Sequence, residues 1–203
     1  MQFCSKVFVG NCMQVTIIGE GEFGTFLKEV LSPHCTIVNN ADIIILAVPL
    51  SAYDEVCSAN ANKHLINVCS VQVESNAICK KYSDRVTGIH PLFGPNSLTG
   101  NSIVTHTCSS SDEVVLLFAK ISCIIEWHNS VRITDIMHDE MMSCTHLPLV
   151  ELSKQIAAII ANAAWISEEC LPASFLQLKL FSETFFKVSE GTRSSIISNS
   201  VNM

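Results

Sequence analysis

The stretch Gly19-Glu-Gly21-Glu-Phe-Gly24 narrows the fold most, because of what stands on either side of it. Before it runs MQVTII, a short apolar segment that reads as a buried strand. After it, Phe23, Phe26, Leu27, Val30 and Leu31 fall at i, i+3, i+4, i+7 and i+8, one face of a helix that Pro33 stops. Each glycine has a task in such a turn. Gly19 permits the tight bend, Gly21 lets backbone approach a pyrophosphate, and Gly24 lets helix and strand pack closely. Glu22 and Phe23 open the helix, whose first N–H groups lack partners and lie at the positive end of its dipole. Strand, glycine turn and helix in this order form a dinucleotide-binding signature. Glu20 and Glu22 act mildly against it, since they put negative charge near the phosphates.

The rest of the chain alternates in the same way. CTIV, DIIILAVP, HLINVCS, RVTGIH, SIVTHTC and IIEWHN read as strands. DIIILAVP is apolar on both faces, as a parallel strand covered on both sides must be. Between the strands lie the helices AYDEVCSA, with Ser51 as its N-cap, VESNAICKKY and SSSDEVVLLFAKISC. The expectation is α/β: a Rossmann-like, doubly wound, mainly parallel sheet over residues 1–130. Residues 131–203 carry helical patterns and no strand signal, a small all-helical domain. Pro148 should bend or break its first helix. Pro172 suits the first turn of ASFLQLKLFSETFFKVSE, which Gly191 can end before a frayed tail. MQFCSKVFVGNCM lacks the apolar core and cleavage site of a signal peptide and reads as an extra strand or arm.

A cofactor of this class also needs its ribose held, by an acid about 20 residues past the glycines. Asn39 and Asn40 stand there instead. An amide can bond a hydroxyl, yet it favours neither NAD nor NADP. The next strand follows so soon that the usual intervening helix has no room. Val48, Pro49 and Leu50, at the end of that strand, complete the expected cofactor site.

Composition bounds the partners. The 203 residues are 48% apolar and 15% charged, with a formal charge of −7, which disfavours a nucleic-acid binder. Ten cysteines occur without a C-x-x-C pair, scattered through apolar segments. They read as reduced core thiols of a cytoplasmic protein. No apolar run reaches the length a membrane helix needs, so no membrane partner is expected. Ile156, Ile159, Ile160, Trp165, Phe175, Leu178, Phe181 and Phe185 exceed what two or three helices can bury, which predicts a homodimer through the C-terminal helices.

His90, in TGIHPLFGPNS, ends a strand on the side where open α/β sheets bind ligands. An imidazole there can take a proton near neutrality. Ser70, ending the preceding strand, is placed to bond His90 or a substrate hydroxyl, or to cap a helix. His138 and His146 lie eight residues apart on roughly one helical face and can line a cleft between the domains. The spacing is not H-E-x-x-H and offers no matching third ligand, so no metal is expected.

Together GEGEFG, ADIIILAVPL, NVCSV, GIHPLFGP and HDEMMSCTHLPL resemble the prephenate/arogenate dehydrogenase family over about residues 14 to 186. HPLFGP ahead of an HD…HLP helix is the most specific part. The resemblance implies a helical dimerisation domain and NAD(P)-dependent oxidative decarboxylation of prephenate or arogenate, towards tyrosine. It implies that His90 draws the proton from the ring hydroxyl, that Ser70 bonds with it, and that His138, His146 and Gln177 lie at the substrate. The family's SVK lysine is Gln72 here, and Gln177 and Phe185 stand where carboxylate-gripping arginines are expected. A charge-assisted contact is worth about 1.5–3 kcal/mol, so two losses weaken a dianion's grip severely. Lys179, Lys187 or Arg193 are the candidate replacements. The chain reads as a minimal or drifted member. The alternatives are a non-catalytic dinucleotide-binding dimer, or a dehydrogenase for another small hydroxy or keto acid.

Overall fold

The computed structural model describes residues 13–95, 101–124 and 130–186. Seven strands form one sheet: β1 (Gln14–Ile18), β2 (Thr36–Ile37), β3 (Ile43–Leu46), β4 (His64–Asn67), β5 (Val86–Pro91), β6 (Ser102–His106) and β7 (Ser130–Arg132). Their order is β2-β1-β3-β4-β5-β6-β7. All neighbours are parallel except β5 and β6. The helices are α1 (Glu22–Leu31), α2 (Tyr53–Ala59), α3 (Gln72–Tyr82), α4 (Ser111–Ile124), α5 (Asp135–Asn162) and α6 (Ala173–Phe186).

Alternation along the strands divides the core in two. Val15, Ile17, Ile45, Ile66 and Ile89 face α1 and α4, where they meet Leu27, Leu31, Leu117 and Phe118. Ile44, Leu46, Leu65 and Val86 face α2 and α3, where they meet Tyr53, Cys57 and Cys79. Side chains of period two thus feed both layers of a doubly wound α/β sheet. The strands lie close to their expected positions, with one displacement. The last one forms at Ser130–Arg132, across the expected 130/131 boundary, whereas Ile124 still belongs to α4 and residues 125–129 of IIEWHN lie outside the described ones.

Three local expectations are corrected. Ser51 is not a helix cap: it sits in a short 3-10 turn, Leu50–Ala52, and α2 starts at Tyr53 without a side-chain cap. Pro148 does not break its helix, because α5 continues through it for 28 residues. Packing against α3 and α6 supports a helix that propensity alone would interrupt. Asn40 turns away from the glycine turn's edge of the sheet. β2 has only two residues and stops opposite Val15, three before Ile18. The chain then crosses directly to the start of β3, and the Thr16 hydroxyl stitches the crossing: it donates to Val38 O at 2.9 Å and accepts from Ala41 N at 2.8 Å. Asn40 Oδ1 accepts from Lys63 Nζ at 2.6 Å, and Lys63 directly precedes β4. That is the edge where strands begin, opposite the one where β1 turns into α1.

After β7 every element is helical. Thr134 caps α5 by accepting from Met137 N at 3.1 Å. Among the described residues no helix is long and apolar enough to cross a membrane. Gly191, the final tail, Lys187 and Arg193 lie outside the described residues.

Candidate active site

The C-terminal ends of β1, β3, β4 and β5 form one edge, since Ile18, Leu46, Asn67 and Gly88 share a register level. Just beyond that level come the glycine turn, Val48–Leu50, Ser70 and His90.

The glycines obey different constraints. Gly19 has φ +139°, and a Cβ there would meet Ala47 O at 2.1 Å. A Cβ on Gly24 would meet Gly19 O at 2.2 Å. Neither position accepts a side chain. Gly21 is different: its φ is −74°, and a Cβ would meet nothing within 4 Å. It precedes α1 and supplies no side-chain cap, so the amides that open the helix at Glu22, Phe23 and Gly24 lack a side-chain acceptor. Backbone open to approach beside a helix N-terminus fits a phosphate group. Glu20, a mild obstacle in the sequence, is paired with Lys28 at 2.6 Å. Val48 and Leu50 pack on the α2–α3 side of the core, and Pro49 between them is exposed.

The loop after His90 is drawn over α1. Phe93 is buried and meets Phe26 edge-on at 6.3 Å, and Gly94 lies within van der Waals reach of Phe23. An open depression of about 480 Å³ follows, lined among others by Gly21, Glu22, Thr25, Phe26 and Pro95. Aromatic packing thus holds the histidine strand and the glycine turn together.

His90 has a partner that the sequence did not assign to it. Its Nδ1 lies 2.8 Å from His138 Nε2, and His138 Nδ1 lies 2.8 Å from Asp139 Oδ1. The Asp139 carboxyl also accepts from the backbone N–H groups of Gln72 and Val73, each at 2.9 Å. Burial raises its pKa, but the His138 contact and these two amides more than offset that and hold it below the usual carboxylate range. The carboxylate only accepts, so His138 Nδ1 donates to it. His138 Nε2 then accepts, and His90 Nδ1 donates. The lone pair of His90 is left on Nε2. Among the described residues no hydrogen bond engages His90 Nε2, and His90 is 9% exposed. Burial first, then His138 and His146, push His90 down to about 3. Its ring is therefore neutral, with Nε2 as its acceptor nitrogen.

Two expectations change here. No hydrogen bond joins Ser70 to His90 among the described residues, where His90 Nδ1 is taken by His138; Ser70 lies half-buried in the loop before α3. Nor does Ser70 cap that helix, since Asp139 does so from α5. His138 does not face a substrate: it is wholly buried with both nitrogens engaged, so it positions His90 from behind. His146 stays near this group, half-buried and depressed by burial and by His138. Gln177 is exposed on α6 and bonds none of the histidines. Lys179 forms an ion pair with Glu168, and the side chain of Phe185 lies outside the described ones. Among the described residues no cluster of three or more His, Cys, Asp or Glu side chains could hold a metal.

Gln72 is also not a surface residue. Its side chain is fully buried: Oε1 accepts from Thr105 Oγ1 at 2.5 Å and from Asn67 Nδ2 at 3.3 Å, and Nε2 donates to Cys69 O at 2.5 Å. This neutral network leaves no room at Gly88, where a Cβ would meet Thr105, Asn76 and Gln72 at 2.4–2.7 Å.

No protein-family profile matches the chain, and none of the curated proteins does. Solved structures do. A candidate prephenate dehydrogenase from Corynebacterium glutamicum superposes with a TM-score of 0.70 at 18% identity, over 93% of this chain and 75% of that one. Prephenate dehydrogenase from Aquifex aeolicus, in complex with hydroxyphenyl propionate and NAD+, gives 0.64 at 14%, over 96% and 85%. Synechocystis arogenate dehydrogenase gives 0.55 at 15%, over 94% and 87%. The chain has the fold of the prephenate and arogenate dehydrogenases.

Proposed function

We propose that the protein is an NAD(P)-dependent dehydrogenase that oxidises and decarboxylates prephenate or arogenate. The observation that carries this reading is the Asp139–His138–His90 hydrogen-bond chain, which fixes the tautomer of His90 and leaves its lone pair on Nε2. Gly19, Gly21 and Gly24, with the first amides of α1, are the residues that would hold the cofactor's phosphates, and Val48, Pro49 and Leu50 border the same edge. When bound, a nicotinamide dinucleotide supplies a hydride acceptor. His90 Nε2 takes the proton of the substrate hydroxyl as general base. His138 holds the ring, and the Asp139 carboxylate behind it favours the charged form once the proton has arrived. We assign His146, half-buried and near enough to lower the His90 pKa, to the substrate side, with Ser70 at the same sheet edge. We further propose a homodimer through α5 and α6.

One observation favours a second reading, a non-catalytic dinucleotide-binding dimer: the β2–β3 crossing carries Asn40 away from the glycine turn and removes a ribose contact. Turnover decides between them. Purified protein with prephenate or arogenate and either nicotinamide cofactor should build up reduced-cofactor absorbance. His90→Asn should cut that rate by roughly 10²–10⁴-fold while cofactor affinity stays unchanged. Cofactor binding with no turnover on either substrate supports the non-catalytic reading, and no binding of either cofactor rejects both.

A further inference from the structure

A second group of reactive side chains lies at the opposite edge of the sheet. His64 opens β4, and Thr87 stands near the start of β5. Because β6 runs antiparallel to β5, its end brings Cys108 to that same edge, just before α4. The sulfur of Cys108 is 3.5 Å from His64 Nε2, and His64 is 2% exposed. His64 Nε2 is 2.7 Å from Thr87 Oγ1, which is 2.7 Å from Ser111 Oγ. The Ser111 hydroxyl donates to Cys108 Sγ at 3.3 Å and accepts from Cys108 N at 2.7 Å. Ser110 Oγ lies 3.4 Å from the sulfur and 3.4 Å from His64 Nδ1.

The donors can be ordered. With the Ser111 proton on sulfur, Ser111 accepts from Thr87, and Thr87 accepts from a His64 protonated on Nε2. A chain of three hydrogen bonds then ends on one sulfur. Burial pushes the Cys108 thiol up, but the hydroxyls of Ser110 and Ser111, the Ser110 amide and Thr87 more than offset it, so the thiol sits below its ordinary value. Burial first, and then Arg85, lower the pKa of His64. The charged groups around the site are Arg85, which is paired with Asp42, and Asp112 and Glu113 in the first turn of α4. Cys108 is half-buried between exposed neighbours, so a small reagent can reach it.

We propose that Cys108, with the His64–Thr87–Ser111 chain behind it, is a modification site for hydroperoxides, separate from the His90 site. The thiolate sulfur attacks one peroxide oxygen. An S–O bond forms and the O–O bond breaks. Sulfur is oxidised to a sulfenic acid, the peroxide is reduced, and the departing hydroxide or alkoxide takes up, through solvent, the proton that the thiol released on ionising, leaving water or an alcohol.

The test uses the full-length protein and short iodoacetamide pulses across a pH range, read peptide by peptide by mass spectrometry. Cys170, exposed and off α5, is the internal reference. At neutral pH Cys108 should react at least about fivefold faster than Cys170, with its half-maximal rate at a lower pH. Hydrogen peroxide followed by dimedone should label Cys108 ahead of Cys170. Ser111→Ala should bring the Cys108 rate down to that of Cys170 without changing the latter. If Cys108 alkylates no faster than Cys170 in the wild-type protein, or reacts equally fast in folded Ser111→Ala, the proposal fails. Should that variant not fold, the wild-type ranking decides alone.

Discussion

At the scale of the residue, Gly21 carries the sharpest test of the cofactor assignment. Gly19 and Gly24 are required by the chain's own backbone, and their loss would cost several kcal/mol through strain and collision. Gly21 has an ordinary φ and open space around its Cα, so packing does not require glycine there; as N-cap of α1 it outranks alanine. Gly21→Ala should keep the fold at a cost of about 1 kcal/mol or less, the weaker N-cap being partly offset by a stiffer unfolded chain. NAD(P) affinity should fall by about tenfold or more, as calorimetric titration will show. Unchanged affinity would mean that the phosphates bind elsewhere. His90 makes a pH prediction. The profile of kcat/KM reports the free enzyme's groups. With His90 depressed to about 3, its free form is already neutral throughout the neutral range. Acidification from pH 8 to 6 should therefore produce no break near 6.5, where an ordinary imidazole would protonate and lose activity. A drop centred near 6.5 would assign the base to another group. His90 was legible in the sequence because it ends a strand ahead of a distinctive loop. Its partner was not, because pairing with His138 spans 48 residues and depends on how α5 packs.

At the scale of the element, Asp139 is the joint between the helical segment and the sheet. It lies on α5, yet it accepts the first amides of α3, 66 and 67 residues away in sequence, and it orients His138. Asp139→Asn keeps the shape but turns one acceptor oxygen into a donor. It should cost about 1–3 kcal/mol of stability through the amide left unpaired. It should also lower kcat by roughly two to four powers of ten through the disturbed tautomer. Thermal unfolding and turnover on the same preparation separate the two effects. A loss of stability with full activity would leave Asp139 as a cap and nothing more. Elements with local signals were read well: β1, β3, β4 and α1 follow directly from apolar runs and helical spacing. Elements governed by distant contacts were not. The α3 cap comes from α5 rather than from Ser70. α5 continues through Pro148 because neighbouring helices hold it, and β2 shortens because the chain crosses at once beneath a Thr16 hydroxyl bond.

At the scale of the whole molecule, the apolar excess in the composition reappears on the helical segment. Met137, Met141, Leu149, Leu152 and Ile159 of α5 are all exposed, as are Trp165 and Leu180. Five of the six exposed large apolar residues on α5, all but Ile136, fall within an arc of about 120° at 100° per residue, a stripe along a helix some 42 Å long. A stable interface needs on the order of 800 Å² from each partner. A two-fold pairing of such stripes, with Trp165 and Leu180 beside them, supplies the apolar centre of such an area, because each copy presents the same face to the other. The described helices leave this face to solvent even though α5 and α6 pack on each other, so internal packing has not used it. Light scattering at micromolar concentration should return twice the chain mass of 22.2 kDa. Leu152→Asp combined with Ile159→Asp should give a monomer with an unchanged far-ultraviolet dichroism spectrum, because both side chains are already in water in the single copy. A wild-type monomer, or a double variant that remains dimeric, would move the contact off this stripe.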